Sequence, residues 1–230
     1  MHERYQHMKN FEHFLQGKTH VIWDWNGTLL DDVDMCVSLI SDLLARYGYP
    51  TISSEEYRKV FRFPVREYYR DIGFDFNKVP FEVVAQEFIK AYNEKVSECG
   101  LFQGVVEVLH RLGHMGLSHS VLSAAHEKDL KKLLSIHNLT DYFLHIYGIS
   151  DHFAAGKATR GKQLIDTMQV PKDQIVMIGD TDHDIEVANH MGVDIILFGD
   201  GHQCPTRLIQ KHHNVLVRCR LSGDIQRYST

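Results

Sequence analysis

Apolar residues along this chain fall into two rhythms, and the change between them divides it. Residues 20–25 form a compact apolar run that contains Asp24 and is followed by Asn26-Gly27-Thr28. A short apolar run closed by Asn-Gly predicts a buried strand and a sharp turn. From about Asp32 to Gly100 the spacing becomes helical. Val33, Cys36, Val37, Ile40, Leu43, Leu44 and Tyr47 share one helix face, with Asp32 placed as an N-cap and Gly48 as a C-cap. Further helices are expected over 53–61, 65–72 and 80–99, divided by Pro and Gly. No strand pattern interrupts this span, so it reads as an all-helical insert. Ahead of the first strand, Tyr5, Met8, Phe11 and Leu15 lie near helical spacing and predict a short amphipathic helix.

Beyond Gly104 the rhythm alternates. Helices are expected over 105–112, 127–137, 159–168, 182–191 and 206–211, and strands over 117–122, 143–147, 174–178, 193–198 and, last, 214–217. Strands that alternate with helices of this length imply βαβ units and a parallel sheet covered by helices on both faces. The predicted class is therefore α/β. One core domain is assembled from residues 1–33 and 101–230, and the helical insert over 34–100 follows its first strand.

Composition narrows the partners more than the fold. The 230 residues are 43% hydrophobic and 24% charged, enough to bury a sizeable core. A formal charge of −5 gives no electrostatic reason to expect a nucleic-acid partner. No stretch approaches the roughly 20 apolar residues of a spanning helix, so no membrane partner is expected. The opening segment is polar throughout and does not read as a signal peptide. Cys36, Cys99, Cys204 and Cys219 form no CxxC pair and read as reduced thiols, which points to a cytoplasmic location. The 16 histidines are scattered without HExxH or His/Cys ligand spacing, so most are expected at the surface or at helix ends.

In an open parallel sheet, ligands bind beyond the carboxyl ends of the strands. Four polar groups fall there or at the start of the next helix: Asp24-Trp25-Asn26-Gly27-Thr28, Ser123-Ala124, Gly156-Lys157, and Gly179-Asp180-Thr181-Asp182-His183-Asp184. Several carboxylates at one edge suit a hard cation, while a lysine, a hydroxyl and backbone amides suit a phosphoryl group. Asp182 reads as a helix-start charge and Lys162 as a solvated one.

This set, in this order, resembles the haloacid dehalogenase superfamily of phosphohydrolases, and within it the phosphoglycolate-phosphatase-like group, over about residues 20–203. VIWDWNGTLLDD looks like the first motif, SVLSAA the second, AAGKAT the third and VMIGDTDHD the fourth. The resemblance implies a Rossmann-like sheet with a helical cap, a Mg²⁺ cofactor and hydrolysis of a small phosphorylated metabolite through an aspartyl-phosphate. It assigns the nucleophile to Asp24, and phosphate contacts to Gly27, Thr28, Ser123, Ala124 and Lys157. Metal contacts fall to Asp24, the Asn26 backbone carbonyl, Asp180 and Asp184. The family's second aspartate, which protonates the leaving group, is Asn26 here, and an amide cannot shuttle a proton. Two alternatives stay open: a phosphate-binding protein without catalysis, and a metal-free dehalogenase. In the insert, Arg62 and Arg66, near Tyr68 and Tyr69, are either solvated or placed to grip a distal acid on the substrate.

Overall fold

The computed structural model describes residues 11–149, 156–218 and 225–228. Strands β1 (His20–Trp23), β2 (Ser118–His126), β3 (His145–Ile149), β4 (Ile175–Gly179), β5 (Asp194–Phe198), β6 (Val215–Arg218) and β7 (Ile225–Arg227) form one sheet in the order β3-β2-β1-β4-β5-β6-β7. The first six are parallel and β7 is antiparallel to β6. The sequence pattern ends at β6. β7 was missed because it is short and exposes two of its three residues, which leaves no apolar run to read.

Consecutive strand residues point to opposite faces, and here both faces are covered. Val21, Trp23, Val176 and Ile178 pack with Leu109 and Leu112 of α5 (Val105–His114) and with Leu130 and Leu134 of α6 (Glu127–Ile136). Ile22 and Met177 face the other way, toward Leu164 of α7 (Gly156–Thr167) and Val187 of α8 (Asp182–Met191). Each full burial of such a side chain contributes roughly 1.5–3 kcal/mol, so the strand ends are held by a stiff scaffold. Phe11 and Leu15 join the first of these cores, while Tyr5 and Met8 lie outside the described residues.

Between β1 and α5 stand α1 (Val33–Arg46), α2 (Ser54–Val60), α3 (Val65–Asp71) and α4 (Phe81–Lys95), with a core of their own that includes Val33, Ile40, Leu44, Tyr57, Tyr68, Tyr69 and Val84. A capping box opens α2: Ser53 Oγ accepts the Glu56 N–H and the Glu56 carboxylate accepts the Ser53 N–H. Asp32 does precede α1, but its side chain makes no capping bond. It is used elsewhere.

Of the expected boundaries that move, two matter for the site. β2 continues to His126 through a register irregularity after Leu122, so Ser123 lies inside the strand. Helix α7 begins at Gly156, which puts Lys157 within its first turn. The chain leaves β1 toward β2 and β3, then returns to β4 on β1's other side. The carboxyl ends of β1 and β4 therefore flank the crevice at the point where strand order reverses.

Candidate active site

Asp24 is the first residue past β1, and its N–H donates to the Ile178 carbonyl at 2.8 Å, extending the ladder to β4. Asp180 directly follows β4, and Asp184 lies in the first turn of α8. Carboxylate oxygens of Asp24, Asp180 and Asp184 lie within 4.8 Å of one another, all buried. Lys157 reaches them from α7, its Nζ donating to Asp24 Oδ1 at 2.5 Å and to Asp184 Oδ1 at 2.7 Å. The lysine is only 3% exposed, so this is a buried ion-paired cluster and not a surface pair.

The cluster is short of positive charge. Burial pushes the Asp24 carboxyl up to about 6, although Lys157 opposes it. Asp180 is pushed well above the carboxylate range by the same burial, against the pull of His202. Burial would also raise Asp184, yet Lys157 and the Thr181 hydroxyl hold it below its ordinary value. Burial works against the charge on Lys157, but the carboxylates of Asp184 and Asp24 more than reverse this and raise it. Three buried carboxylates with one ammonium make an oxygen-donor set that a hard divalent cation would neutralise. The residues present fit Mg²⁺.

Asp180 is tightly collared. Its Oδ1 accepts the Thr28 hydroxyl at 3.2 Å and its Oδ2 the His202 N–H at 2.6 Å. Gly27, at φ +69°, and Gly201 both pass so close that a Cβ on either would overlap the Asp180 carboxylate. Asp184 is fixed through Oδ2 by the N–H of Asp180 (3.2 Å), the N–H of Thr181 (3.0 Å) and the Thr181 hydroxyl (2.8 Å).

Beside this cluster lies a second one, which local spacing could not reveal. Asp32 accepts nitrogen and oxygen donors on both oxygens: the Gly27 N–H (3.0 Å) and His202 Nε2 (3.2 Å) on Oδ1, and Asn26 Nδ2 (2.8 Å) and the Tyr92 hydroxyl (3.0 Å) on Oδ2. His202 Nδ1 meets the Tyr57 hydroxyl at 2.8 Å, and the Cys36 thiol donates to Asp32 Oδ2 at 3.8 Å. Asp32, Cys36 and His202 are thus a buried His/Cys/Asp group, whereas most histidines are expected from the sequence at the surface or at helix ends. Arg218 was likewise missed. It is buried at the end of β6, pairs with Asp200 (2.8 Å) and donates to the carbonyls of Gly27 and Thr28. Its guanidinium lies 3.4 Å from the Phe102 ring centroid and 4.5 Å from that of Phe198.

A family description of haloacid dehalogenase-like hydrolases matches residues 21–198. The chain belongs to this family. The chain is 26% identical to the tyrosine-protein kinase PtkA of Mycobacterium tuberculosis over 188 residues, 79% of this chain and 62% of PtkA. The chain thus spans less than two thirds of that relative. It is also 26% identical to the phosphoglycolate phosphatase of Pseudomonas syringae pv. tomato over 211 residues, covering 85% of this chain and 75% of the relative. Among solved structures, a haloacid dehalogenase-like hydrolase from Streptococcus pneumoniae superposes with a TM-score of 0.75 over 90% of this chain and 96% of its own, at 19% identity.

The residues expected at the site divide into three groups. Asp24, Lys157, Asp180 and Asp184 converge. Asn26, Gly27 and Thr28 stand beside them, but with polar groups already engaged: the Gly27 N–H goes to Asp32 and to the Leu30 carbonyl, and the Thr28 hydroxyl to Asp180. Ser123 is fully buried and its Oγ accepts the Ala125 N–H at 3.0 Å, with half-buried Ala124 between them. The arginines of the insert have partners. Arg62 pairs with Asp71, and Arg66 pairs with Glu82 and lies over the rings of Phe76 and Phe81. Tyr68 and Tyr69 are buried in the insert's own core. Asp182 holds Arg207 (2.8 Å) and Gln203 (2.7 Å), and both also bond the Phe61 carbonyl of the insert.

The Asp32–His202 pair sets an expected pH response. Burial would lower the His202 pKa, but Asp32 reverses this and brings it to about 9. Burial would raise Asp32, yet His202, Asn26 and Tyr92 hold it below 3.8. The raised histidine gives stability that is full below 6.5 and lost as pH rises through about 9. The depressed carboxyl gives stability present above 3.8 and lost as pH falls through its lower folded value. Melting temperature should therefore decline as pH rises from about 6.5 to about 9 in the wild type, with no further loss from this pair beyond it. An equal decline in Asp32→Asn would refute the assignment.

Proposed function

We propose that this hydrolase is a phosphatase that cleaves phosphate monoesters of a small metabolite, with Asp24 as the nucleophile. The observation that carries the reading is the Asp24 carboxylate, buried at the strand-reversal crevice, in contact with Lys157 and flanked by two more carboxylates. The phosphoglycolate phosphatases among the relatives support phosphate release from a small substrate.

The Asp24 oxygen attacks phosphorus and the ester P–O bond breaks, leaving an aspartyl-phosphate that water hydrolyses. Lys157 holds the attacking carboxylate in place and offsets the repulsion between it and the phosphoryl oxygens. Asp184 fixes Lys157, and Thr181 fixes Asp184. Mg²⁺ held by Asp24, Asp180, Asp184 and the Asn26 backbone carbonyl would supply the remaining positive charge. That carbonyl accepts no hydrogen bond among the described residues. The insert lies over the crevice, docked through the Arg58 carbonyl to the Cys204 N–H (3.1 Å) and through the Phe61 carbonyl to Gln203 and Arg207. This excludes bulk water from the charged cluster.

A panel of phosphomonoesters assayed with Mg²⁺ and with chelator tests the reading. Chelator-sensitive release of phosphate supports it. Halide release without metal would favour the dehalogenase alternative, and binding with no turnover the non-catalytic one. The same assay separates the two acids of the fourth motif. Asp180→Ala should raise the Mg²⁺ concentration for half-maximal activity far more than Asp182→Ala, since Asp182 is engaged with Arg207 and Gln203. Equal shifts would mean that Asp182 shares the metal.

A further inference from the structure

Asn26 is where the site departs from its family, and its neighbours dictate which half of the amide is left over. Asp32 already accepts from Gly27, His202 and Tyr92, so its carboxylate is in the acceptor-only form. Asn26 Nδ2 stands 2.8 Å from it. Turned over, the amide would set its carbonyl oxygen against a carboxylate. The Tyr92 hydroxyl gives its own hydrogen to Asp32, which leaves its oxygen to accept the second Asn26 amide hydrogen, at 2.6 Å. Both hydrogens are therefore consumed by the protein. No donor among the described residues reaches Asn26 Oδ1. What Asn26 has to offer a ligand is an acceptor, which cannot assist a departing alkoxide even by hydrogen bonding.

From this network we propose that the hydrolase acts on activated phosphates, namely acyl phosphates, phosphoanhydrides and aryl phosphates, with Asp32 and Tyr92 as positioning residues that hold Asn26 as an acceptor. The inference rests on the phosphatase reading above. In the first step a bond forms from Asp24 Oδ to phosphorus, and the bond from phosphorus to the leaving oxygen breaks with its electron pair. The leaving group departs as a carboxylate, phosphate or phenolate anion and needs no proton. In the second step the oxygen of water bonds to phosphorus and the P–O bond to Asp24 breaks, restoring the carboxylate. Both protons of the water leave with inorganic phosphate. Asn26 Oδ1 accepts a hydrogen bond from that water and orients it.

The test is the dependence of kcat/KM on the leaving group. Acetyl phosphate, nitrophenyl phosphate, phenyl phosphate and glycerol phosphate are compared in wild type, Asn26→Asp and Tyr92→Phe, with the Asn26-Gly27 sequence checked for deamidation by mass spectrometry. In wild type the rate should fall by roughly 10²–10⁴-fold from nitrophenyl to glycerol phosphate, the usual worth of general acid help. Asn26→Asp should raise the glycerol-to-nitrophenyl rate ratio by most of that factor. Tyr92→Phe, which frees one amide hydrogen, should raise it by a smaller one. A purely structural role for Tyr92 would change stability without moving this ratio. Comparable rates for all four phosphates in wild type, or a ratio unmoved by both substitutions, would overturn the proposal and leave the phosphatase reading standing. No turnover of any ester by wild type with Mg²⁺ would overturn both.

Discussion

Asp24→Ala should release no measurable phosphate from any ester while keeping the circular dichroism of the wild type. The fold does not depend on this carboxylate. Its backbone N–H, which extends the ladder to β4, is untouched by the substitution, and Lys157 keeps Asp184 as a partner. Removing one of three crowded buried carboxylates also relieves like-charge repulsion, which lowers the cost of losing the pair with Lys157. Activity has no such reserve, because no other oxygen in the cluster follows β1 into the crevice. Loss of a covalent nucleophile costs on the order of 10⁴–10⁶-fold in well-studied hydrolases. A folded Asp24→Ala protein with near wild-type turnover would remove Asp24 from the mechanism.

Lys157→Met should have the second-largest effect, and on stability as well as on rate. Methionine matches the length and flexibility of the lysine stem, so packing is largely kept and the charge alone is lost. Asp24, Asp180 and Asp184 would then share a buried space with no cation. Breaking a buried pair from one side typically costs about 3–5 kcal/mol. The pH dependence has a definite sign. Without Lys157, burial raises the folded pKa of Asp24 and Asp184 above their unfolded values. Groups raised in this way favour the folded state at low pH and lose that contribution as pH rises through the folded pKa. The melting-temperature deficit of the variant should therefore shrink on acidification from neutral pH, and Mg²⁺ should restore more stability to it than to the wild type. A deficit that is independent of pH and of Mg²⁺ would show that Lys157 matters as a space-filling group and not as a charge.

The carboxylates that cluster with Lys157 after the central strands were legible because each sits where two independent signals coincide. Asp24 and Asp180 end apolar runs, Val21-Ile22-Trp23 and Val176-Met177-Ile178, that any βαβ reading makes central strands. Local pattern stops there. Asp32 looked like a helix cap because its position before α1 is a capping position, and only the folded chain brings His202 and Tyr92 against it. Arg218 follows the apolar run Val215-Leu216-Val217 and carries no signal of its own in the sequence. Its burial depends on Phe102 and Phe198, which arrive from distant elements. Arg62 and Arg66 could be judged only once their acidic partners in the insert were known. What sequence lacks in each case is the identity of the tertiary neighbour.

The loop after β5 has two employers. Its His202 N–H and Gly201 collar Asp180, and Asp200 ties it to Arg218, which holds the turn after β1. A few residues on, Gln203, Cys204 and Arg207 bear the weight of the insert. Any lifting of the insert would therefore pull on the same short span that holds Asp180. If Asp180 binds the cation as proposed, access and readiness would be opposite positions of a single interlock, with the carboxylate slack when the crevice is open and aimed when it is closed. Such a coupling would confine the proposed reaction to the enclosed state without any separate sensor for the substrate.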